Sequence, residues 1–491
     1  MDKLNLQTKF AYGVGQVAEG IKSRGFDLIA FFYFTQVLGL SGSLAGTAVA
    51  IALIFDAVSD PVAGHLSDNW RSRLGRRHPF MYAAALPLAI SWFVLYLPPA
   101  GLGQTGLFFW LLICAVLVRA SMTLYHVPHM ALGAELSDDY DERTSIVQWR
   151  TFLGMVGALV VIGAGLNLFF PASEEFSNGM MNPAGYPKFA LASAVIMFVT
   201  IWYSAWGTRK EIPNLPGPPA EPIPFSLRGT YAEFALAWQN RSFRALFLGF
   251  SCYGISISIG TTLGTHVYVF FWGFSPTDLS IVLGLTAAGF VVGVIISRRL
   301  HVRFDKKASL IGAASLSGVL GILAVVARLV GLIPDVAAPF VFPGILGVVG
   351  IGAIAAGVGY TSAGSMMADV AHDQFARTGR AQQGILFSAV AFSGKIGSAG
   401  GHFLAGVGID LINFPLQSAP ELIAPDFIFR LGLLSLIAAP IAATGIWCYT
   451  YYRINRASFE SADAEPPRER LSELLNEVQP IEPTGVPAGT D

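Results

Sequence analysis

The chain is short of charged residues and of cysteine, and each shortage excludes a class of protein. Charged side chains make up 13% of its 491 residues, about half the share in an average soluble domain, which excludes a large water-facing surface. Its 31 basic and 32 acidic residues leave a net charge of −1, so electrostatics give no basis for nucleic-acid binding. The three cysteines, Cys114, Cys252 and Cys448, share no short spacing, so we expect neither a disulfide framework nor a metal site.

Hydrophobic residues are abundant instead: they make up 53% of the chain and form long runs. A bilayer crossing takes about 20 mostly apolar residues, and these must be helical because a lone strand leaves its backbone unsatisfied in lipid. The runs predict an all-α membrane protein with twelve transmembrane helices. The predicted crossings are 10–39, 44–66, 79–98, 106–131, 147–170, 188–206, 245–272, 279–297, 309–332, 341–365, 384–411 and 428–451.

Basic residues concentrate in every second loop between these runs. The alternate loops contain no lysine or arginine; they are 99–105, 171–187, 273–278, 333–340 and 412–427. Lysine and arginine are retained on the cytoplasmic side of a membrane protein. We therefore expect a multi-pass membrane protein with both termini in the cytoplasm.

A proline-rich stretch divides the crossings into six and six. The expected organisation is an N-terminal six-helix bundle (1–206), a cytoplasmic linker (207–244), a C-terminal six-helix bundle (245–452) and a cytoplasmic tail (453–491).

Two loops on the cytoplasmic side repeat one pattern. Glu135-x-x-x-Asp139-x-x-x-Arg143 follows the fourth predicted crossing, and the same spacing of acids and arginine recurs after the tenth. Such repeats are typical of transporters whose pseudo-symmetric halves rock around a central site. We expect salt-bridge latches there, pairing Asp68 with Arg76 or Arg77 and pairing Glu135 or Asp139 with Arg143. The predicted cytoplasmic gate comprises Asp68, Arg76, Arg77, Glu135, Asp139, Arg143, Asp369, Asp373 and Arg377.

Two carboxylates lie within the second predicted crossing, where each ionisable residue is costly and is a functional candidate by default. Asp56 and Asp60 are four residues apart, which puts both on one helix face. Because like charges repel in a low dielectric, the pair needs a cation, a proton or a basic partner. Pro61 frees backbone carbonyls that can also act as ligands. Both readings, a Na⁺ or H⁺ site and a structural salt bridge, remain open here.

Other charged residues in the predicted crossings are candidates for substrate binding. Arg119, Thr123 and His126 share one face of the fourth crossing. The first crossing carries Glu19, Lys22, Arg24 and Asp27, which either pair along the helix or bind polar substrate groups. Lys395 stands alone in an apolar stretch and requires an anion from the protein or the substrate.

Several motifs together resemble one known family. They are Asp56-x-x-x-Asp60-Pro61, Gly64-x-x-Ser67-Asp68, Arg73-x-Gly75-Arg76-Arg77-x-Pro79 and Val127-Pro128 with Ala131-Leu132. The combination is similar to the glycoside–pentoside–hexuronide:cation symporters of the major facilitator superfamily, the group of melibiose-carrier-like transporters. The resemblance extends from about Thr8 to Arg453.

The resemblance implies the major facilitator fold and cation-coupled symport of a small-molecule substrate by alternating access. The commonest location of the family is the inner (plasma) membrane of a bacterium. We expect no enzyme activity, because the sequence contains no His-x-x-x-His, Gly-x-Ser-x-Gly or Cys-x-x-Cys pattern. We also expect no cofactor beyond Na⁺ or H⁺ as coupling ion, no obligatory protein partner and a monomer in the bilayer. The cation ligands that the resemblance implies are Asp56, Ser59, Asp60 and Thr123. With the charged residues above, the substrate-facing candidates are Glu19, Arg24, Asp27, Arg119, His126, Arg150, Tyr360 and Lys395.

The chain also departs from that family. Gly20 and His126 occupy the positions of two carboxylates that hold galactoside hydroxyls, which argues against a galactoside. Arg24 and Arg119 favour an anionic substrate such as a uronide, because guanidinium pairs bidentately with carboxylate. The His126-Val127-Pro128 triplet resembles the vertebrate lysophosphatidylcholine symporters, so a lysophospholipid or another amphiphile is the alternative. A non-transporting membrane sensor is the alternative from another class.

Overall fold

The computed structural model describes residues 4–137, 139–217, 227–333, 335–378 and 383–454, which contain helices and loops but no strand. The first half contains α1 (Leu6–Val14), α2 (Gln16–Gly25), α3 (Gly42–Asn69), α4 (His78–Leu95), α5 (Gln104–Glu135), α6 (Tyr140–Phe169) and α7 (Gly185–Thr208). The second half contains α8 (Leu227–Gln239), α9 (Arg241–His266), α10 (Pro276–Phe304), α11 (Lys306–Leu329), α12 (Val341–Thr378), α13 (Gln383–Leu411), α14 (Pro425–Ser435) and α15 (Ala438–Thr450). The predicted tail lies outside the described residues from 455 onward.

Ten helices in the described ranges are long and apolar enough to cross a membrane. Two further helical stretches coincide with predicted crossings but are more polar. The stretch 6–37 contains five charged residues, and α13 is rich in glycine and serine around Lys395. Both lie against other helices, since α1 and α2 pack on α6 and α7 while α13 packs between α3 and α9. That these two stretches also cross the membrane, which would bring the count to twelve, therefore stays a prediction.

Two crossings that the hydropathy pattern predicts as single helices are interrupted. The first passes from α1 through α2 into two π-helical turns, Phe26–Ala30 and Tyr33–Val37. Such turns commonly occur at functional sites. The last predicted crossing, 428–451, breaks between α14 and α15 at Leu436. Within the predicted linker, α8 packs its aromatic side chains against the start of α9.

Two helix pairs join the halves, α3 with α13 and α6 with α10, and the π-helical turn Phe26–Ala30 also packs on α9. The first pair approaches closely because glycines face each other. A Cβ on Gly42 would lie 2.5 Å from the carbonyl oxygen of Gly406, and one on Gly46 would lie 2.4 Å from that of His402. These residues lie toward one end of the bundle, the end at which the loops without lysine or arginine are found. The closed seam at this end leaves a cavity between the halves deeper in the bundle.

Candidate functional site

The carboxylates of Asp56 and Asp60 converge on one hydroxyl group. The Thr123 Oγ1, contributed by α5, lies 2.8 Å from the Asp56 Oδ1 and 2.9 Å from the Asp60 Oδ1. The Ser59 Oγ lies 3.4 Å from the same hydroxyl. The four predicted cation ligands are thus neighbours, because Asp56 and Asp60 lie one turn apart on the face of α3 that packs on α5. Oxygen atoms of this kind are the ligands that hard cations prefer.

A lysine from the other half completes this cluster. The Lys395 Nζ of α13 lies 2.5 Å from the Asp60 Oδ2, 3.2 Å from the Asp56 Oδ2 and 3.0 Å from the Asp56 carbonyl oxygen. The sequence leaves open whether the anion that pairs with this lysine belongs to the protein or to the substrate. In the structure, the protein provides it. Lys395 thus places a positive charge between the two carboxylates, where a coupling ion of the same sign would bind.

Arg119 is the second cation beside Asp56. Its Nη1 lies 3.6 Å from the Asp56 Oδ2, and its guanidinium group lies over the Phe26 ring at 5.1 Å from the ring centre. The side chain is buried, and its Nε has no hydrogen-bond partner among the described residues. Arg119 also lines the central cavity. It therefore connects the carboxylate cluster to the cavity through a single side chain.

A cavity of about 660 Å³ lies between the halves. Six of the eight predicted substrate-facing residues line it, namely Glu19, Arg24, Asp27, Arg119, Arg150 and Tyr360. Tyr360 is 68% exposed, with its ring 5.6 Å from that of Phe290. His126 is not among the lining residues; its Nε2 lies 3.4 Å from the Nε2 of Gln16, which does line the cavity.

The charges of the first crossing divide into a tight pair and a loose one. The Lys22 Nζ lies 2.9 Å from the Glu19 Oε2, and both side chains are largely buried. The Arg24 Nη1 lies 3.9 Å from the Asp27 Oδ2, and the Arg24 side chain is 52% exposed. Glu19 therefore pairs along the helix, whereas the half-exposed Arg24 side chain lines the cavity and is only loosely paired.

His402 is a cavity residue whose partners the sequence does not indicate. This α13 side chain is 2% exposed, its Nδ1 lies 2.9 Å from the Ser398 carbonyl oxygen, and its Nε2 lies 3.6 Å from the Asp27 Oδ1. The contact joins the two halves. The only signal in the sequence is a histidine within an apolar run, which is equally typical of packing.

The predicted gate residues form clusters within each half. The Glu135 Oε1 accepts hydrogen bonds from Arg76 at 2.8 Å and from Arg77 at 2.7 Å, and Arg77 also pairs with Asp68. The sequence predicts that Arg143 pairs with Glu135 or with Asp139. The pairing with Glu135 is wrong, because Glu135 binds Arg76 and Arg77. The pairing with Asp139 is not observed among the described residues; the Asp139 side chain instead accepts from the Glu142 amide and caps α6. The Arg143 Nε donates to the Ser137 carbonyl oxygen.

The second half repeats this arrangement with other residues. The Asp369 carboxylate, at the repeat position of Glu135, binds Lys306 at 2.7 Å. Asp373 pairs with Arg377 at 2.9 Å and accepts from Asn240 at 2.9 Å. In each half, therefore, the acid of the fourth crossing holds a base at the start of the third. These contacts fasten helices within a half, and they do not join the halves.

Comparison with known proteins places the chain among transporters. A family model described as MFS/sugar transport protein matches residues 11–456. The chain is 25% identical to the putative glycoside/cation symporter YagG of Escherichia coli (strain K12), over 96% of this chain and 97% of that protein. It is 24% identical to sodium-dependent lysophosphatidylcholine symporter 1-A of Danio rerio, over 32% of this chain and 29% of that protein. The family match confirms the resemblance seen in the motifs.

A solved structure shares the fold. The crystal structure of the nucleoside transporter NupG is similar with a TM-score of 0.58 at 15% identity, over 92% of this chain and 99% of that one. The likeness confirms the predicted all-α fold.

Proposed function

Because the chain belongs to the MFS/sugar transport protein family, and is a membrane transporter rather than an enzyme, we propose that it couples uptake of a sugar, glycoside or uronide to entry of Na⁺ or H⁺. Transport would proceed by alternating access, with the basic loops and both termini in the cytoplasm. The observation that carries the proposal is the contact of Lys395 of one half with Asp56 and Asp60 of the other.

The contact suggests how the ion and the substrate are coupled. A cation that enters between the two carboxylates competes with the Lys395 ammonium group, because both neutralise the same pair. Once displaced, Lys395 no longer ties α3 to α13 at this depth. Arg119 transmits the change to the cavity, since it contacts both Asp56 and the cavity surface. Couplings between linked sites are typically about 1–3 kcal/mol.

The cavity supports an anionic sugar such as a uronide as substrate. Arg24 and Arg150 both line it, and Arg24 is only loosely paired with Asp27. An arginine with free N–H groups binds a carboxylate bidentately. Glu19 and Asp27 supply acceptors for sugar hydroxyl groups, and the exposed Tyr360 ring offers a face for a sugar ring.

An amphiphile, such as a lysophospholipid, is the second candidate. The zebrafish relative supports it over about a third of the chain. The cavity wall along the α6–α10 seam is apolar: it contains Leu159, Ile162, Val282, Leu283 and Phe290. An acyl chain would lie along this wall while the headgroup met the charged residues of the first crossing.

Transport assays in proteoliposomes test the proposal. We expect wild-type protein to exchange a labelled uronide and to accumulate it under an inward Na⁺ or H⁺ gradient. The Asp60→Asn variant is expected to keep exchange but lose gradient-driven accumulation, because the cation site loses its charge. Asp278→Asn, which alters an acid that caps α10 within one half, is the matched control. Full accumulation by Asp60→Asn would contradict the cation site, and an absence of exchange with sugars, uronides and lysolipids would contradict transport.

The substrate class has its own test. Arg24→Gln is expected to raise the KM for a uronide at least several-fold while leaving the KM for the matching neutral glycoside unchanged. Arg119→Gln is expected to impair both, because it also removes a partner of Asp56. Equal effects of Arg24→Gln on the two sugars would refute recognition of a carboxylate by Arg24.

A further inference from the structure

The second half carries an apolar groove that the proposed transport function does not use. It lies between α10, α11 and α12, and its volume is about 410 Å³. Small residues of α11, Ala308, Gly312 and Ala313, leave the space open, and Ala355 and Val358 of α12 are buried beneath it. Its rim consists of large exposed side chains, namely Phe304, Leu316 and Ile351.

The groove opens away from the central cavity. On α12, Val358 lines the groove and Tyr360 lines the cavity; two residues turn an α-helix by about 200°. On α10, Ile296 lines the groove and Phe290 lines the cavity. The groove therefore faces the surroundings of the bundle, which for a membrane-spanning helix are lipid chains.

Two arginines lie at one end of this groove. Arg299 and Arg303 are one turn apart on the last turns of α10, and both are exposed. The Arg303 guanidinium group lies over the ring of Phe304, a rim residue, at 5.3 Å from the ring centre. Neither arginine forms an ion pair or a hydrogen bond among the described residues. The neighbouring Lys306 and Lys307 are engaged, by Asp369 and by the backbone of Thr450 and Tyr452 respectively.

We propose that this groove is a binding site for an anionic phospholipid of the cytoplasmic leaflet. One acyl chain fills the groove between α10 and α11, and the phosphate group pairs with Arg303 and Arg299. The apolar groove suits the acyl chain of such a lipid, and the basic end of the groove, at the predicted membrane surface, suits its phosphate group. Clusters of arginine next to transmembrane helices attract anionic headgroups in this way. The site is separate from the transport cavity.

Native mass spectrometry of the purified full chain tests the headgroup contact. The protein is exposed to equal amounts of palmitoyl-oleoyl phosphatidylglycerol and phosphatidylcholine, and the lipid retained is quantified. We expect wild-type protein to retain phosphatidylglycerol several-fold better, and we expect the R299Q/R303Q double variant to lose that preference. R298Q is the matched control, because Arg298 is also exposed on α10 but points away from the groove. R303K, which keeps the charge, should retain part of the preference.

Equal retention of both lipids by the wild type, or the same loss in R298Q as in R299Q/R303Q, would overturn the headgroup site. Since the readout is lipid binding, failure of this proposal is distinct from failure of the proposed transport.

A second pair of variants tests the acyl-chain position. A Cβ on Gly312 would meet no atom within 4 Å, and the same holds for Gly321 on the opposite face of α11. G312F is therefore expected to fold and to fill the groove, with loss of the retained phosphatidylglycerol. G321F adds the same ring outside the groove and is expected to retain the lipid as the wild type does. Retention of phosphatidylglycerol by G312F at the wild-type level would refute the assignment of the groove.

Discussion

Lys395 is the residue on which the candidate site depends. Its ammonium group serves two carboxylates at once and accounts for the pair of acids that repel each other in α3. The shared lysine offsets the charge of the two carboxylates without an external ion. It can also be exchanged for one, because a small cation or a proton offsets the same charge and releases the lysine.

Removal of this lysine tests the exchange. In Lys395→Gln the two carboxylates lose the cation that they share and only Arg119 remains beside Asp56, so we expect a lower unfolding temperature in Na⁺-free buffer at neutral pH. Na⁺ should then stabilise the variant more than the wild type, in which it must first displace the lysine. A ligand at a hundred times its dissociation constant stabilises by about 2.7 kcal/mol. Thermal unfolding with and without Na⁺ measures the difference.

The control for this prediction is Lys306→Gln, which removes a lysine that pairs with Asp369 outside the site. Its unfolding temperature should show no dependence on Na⁺ beyond that of the wild type. The exchange would be refuted if Lys395→Gln responded to Na⁺ and to low pH no more than Lys306→Gln does.

At the scale of elements, the N-terminus of α3 is held by the opposite half. Asp410 of α13 accepts hydrogen bonds from the backbone amides of Gly42 at 2.7 Å and Ser43 at 2.8 Å. The first amides of a helix have no partner within it, and its dipole favours a negative charge there. This contact is a latch between the halves, whereas the acid–base clusters at the other end are internal to each half.

Loss of the latch should favour the opposite conformation. A helix cap contributes about 1 kcal/mol, which is roughly fivefold in an equilibrium. In Asp410→Ala we therefore expect faster labelling, from the outside of proteoliposomes, of a cysteine placed at the cavity residue Thr286. The labelling is measured with an impermeant maleimide in a background without the three native cysteines.

Asp278→Ala is the control, since Asp278 caps α10 within one half. It is expected to lower stability without changing the labelling rate. Similar labelling rates in the two variants would show that Asp410 does not hold the halves together.

At the scale of the whole molecule, the seam between the halves depends on glycine. Gly42, Gly46 and Gly406 let the backbones of α3 and α13 touch, as small residues do at helix contacts in membranes. Hydrogen bonds reinforce the seam at the same end; for example, the Asn178 amide donates to the Phe274 carbonyl oxygen at 3.1 Å. A seam built by contact and not by covalent bonds can open when the halves rock.

A methyl group at this seam should stop closure. In Gly46→Ala the new Cβ would lie 2.4 Å from the His402 carbonyl oxygen, so we expect the initial rate of uptake to fall at least several-fold. Gly64→Ala on the same helix places its Cβ 3.5 Å from a Val127 methyl group, an ordinary contact, and should transport normally. Equal uptake by the two variants would exclude a role of the seam in the transport cycle.

The sequence by itself determined most of the membrane-spanning helices and the position of the acid pair, because apolar length and a charge in an apolar run are local properties that any bilayer must accommodate. It also identified the five acidic and basic residues that line the cavity, since a charged side chain in a crossing has few other places to go. It could not determine which charges meet. The partners of Asp56 and Glu135, the Asp410 latch and the position of His402 depend on contacts between residues distant in the chain. The packing of helices on one another decided them: α3 on α13 brings Asp56 to Lys395 and Asp410 to the start of α3, and α4 on α5 brings Arg76 and Arg77 to Glu135.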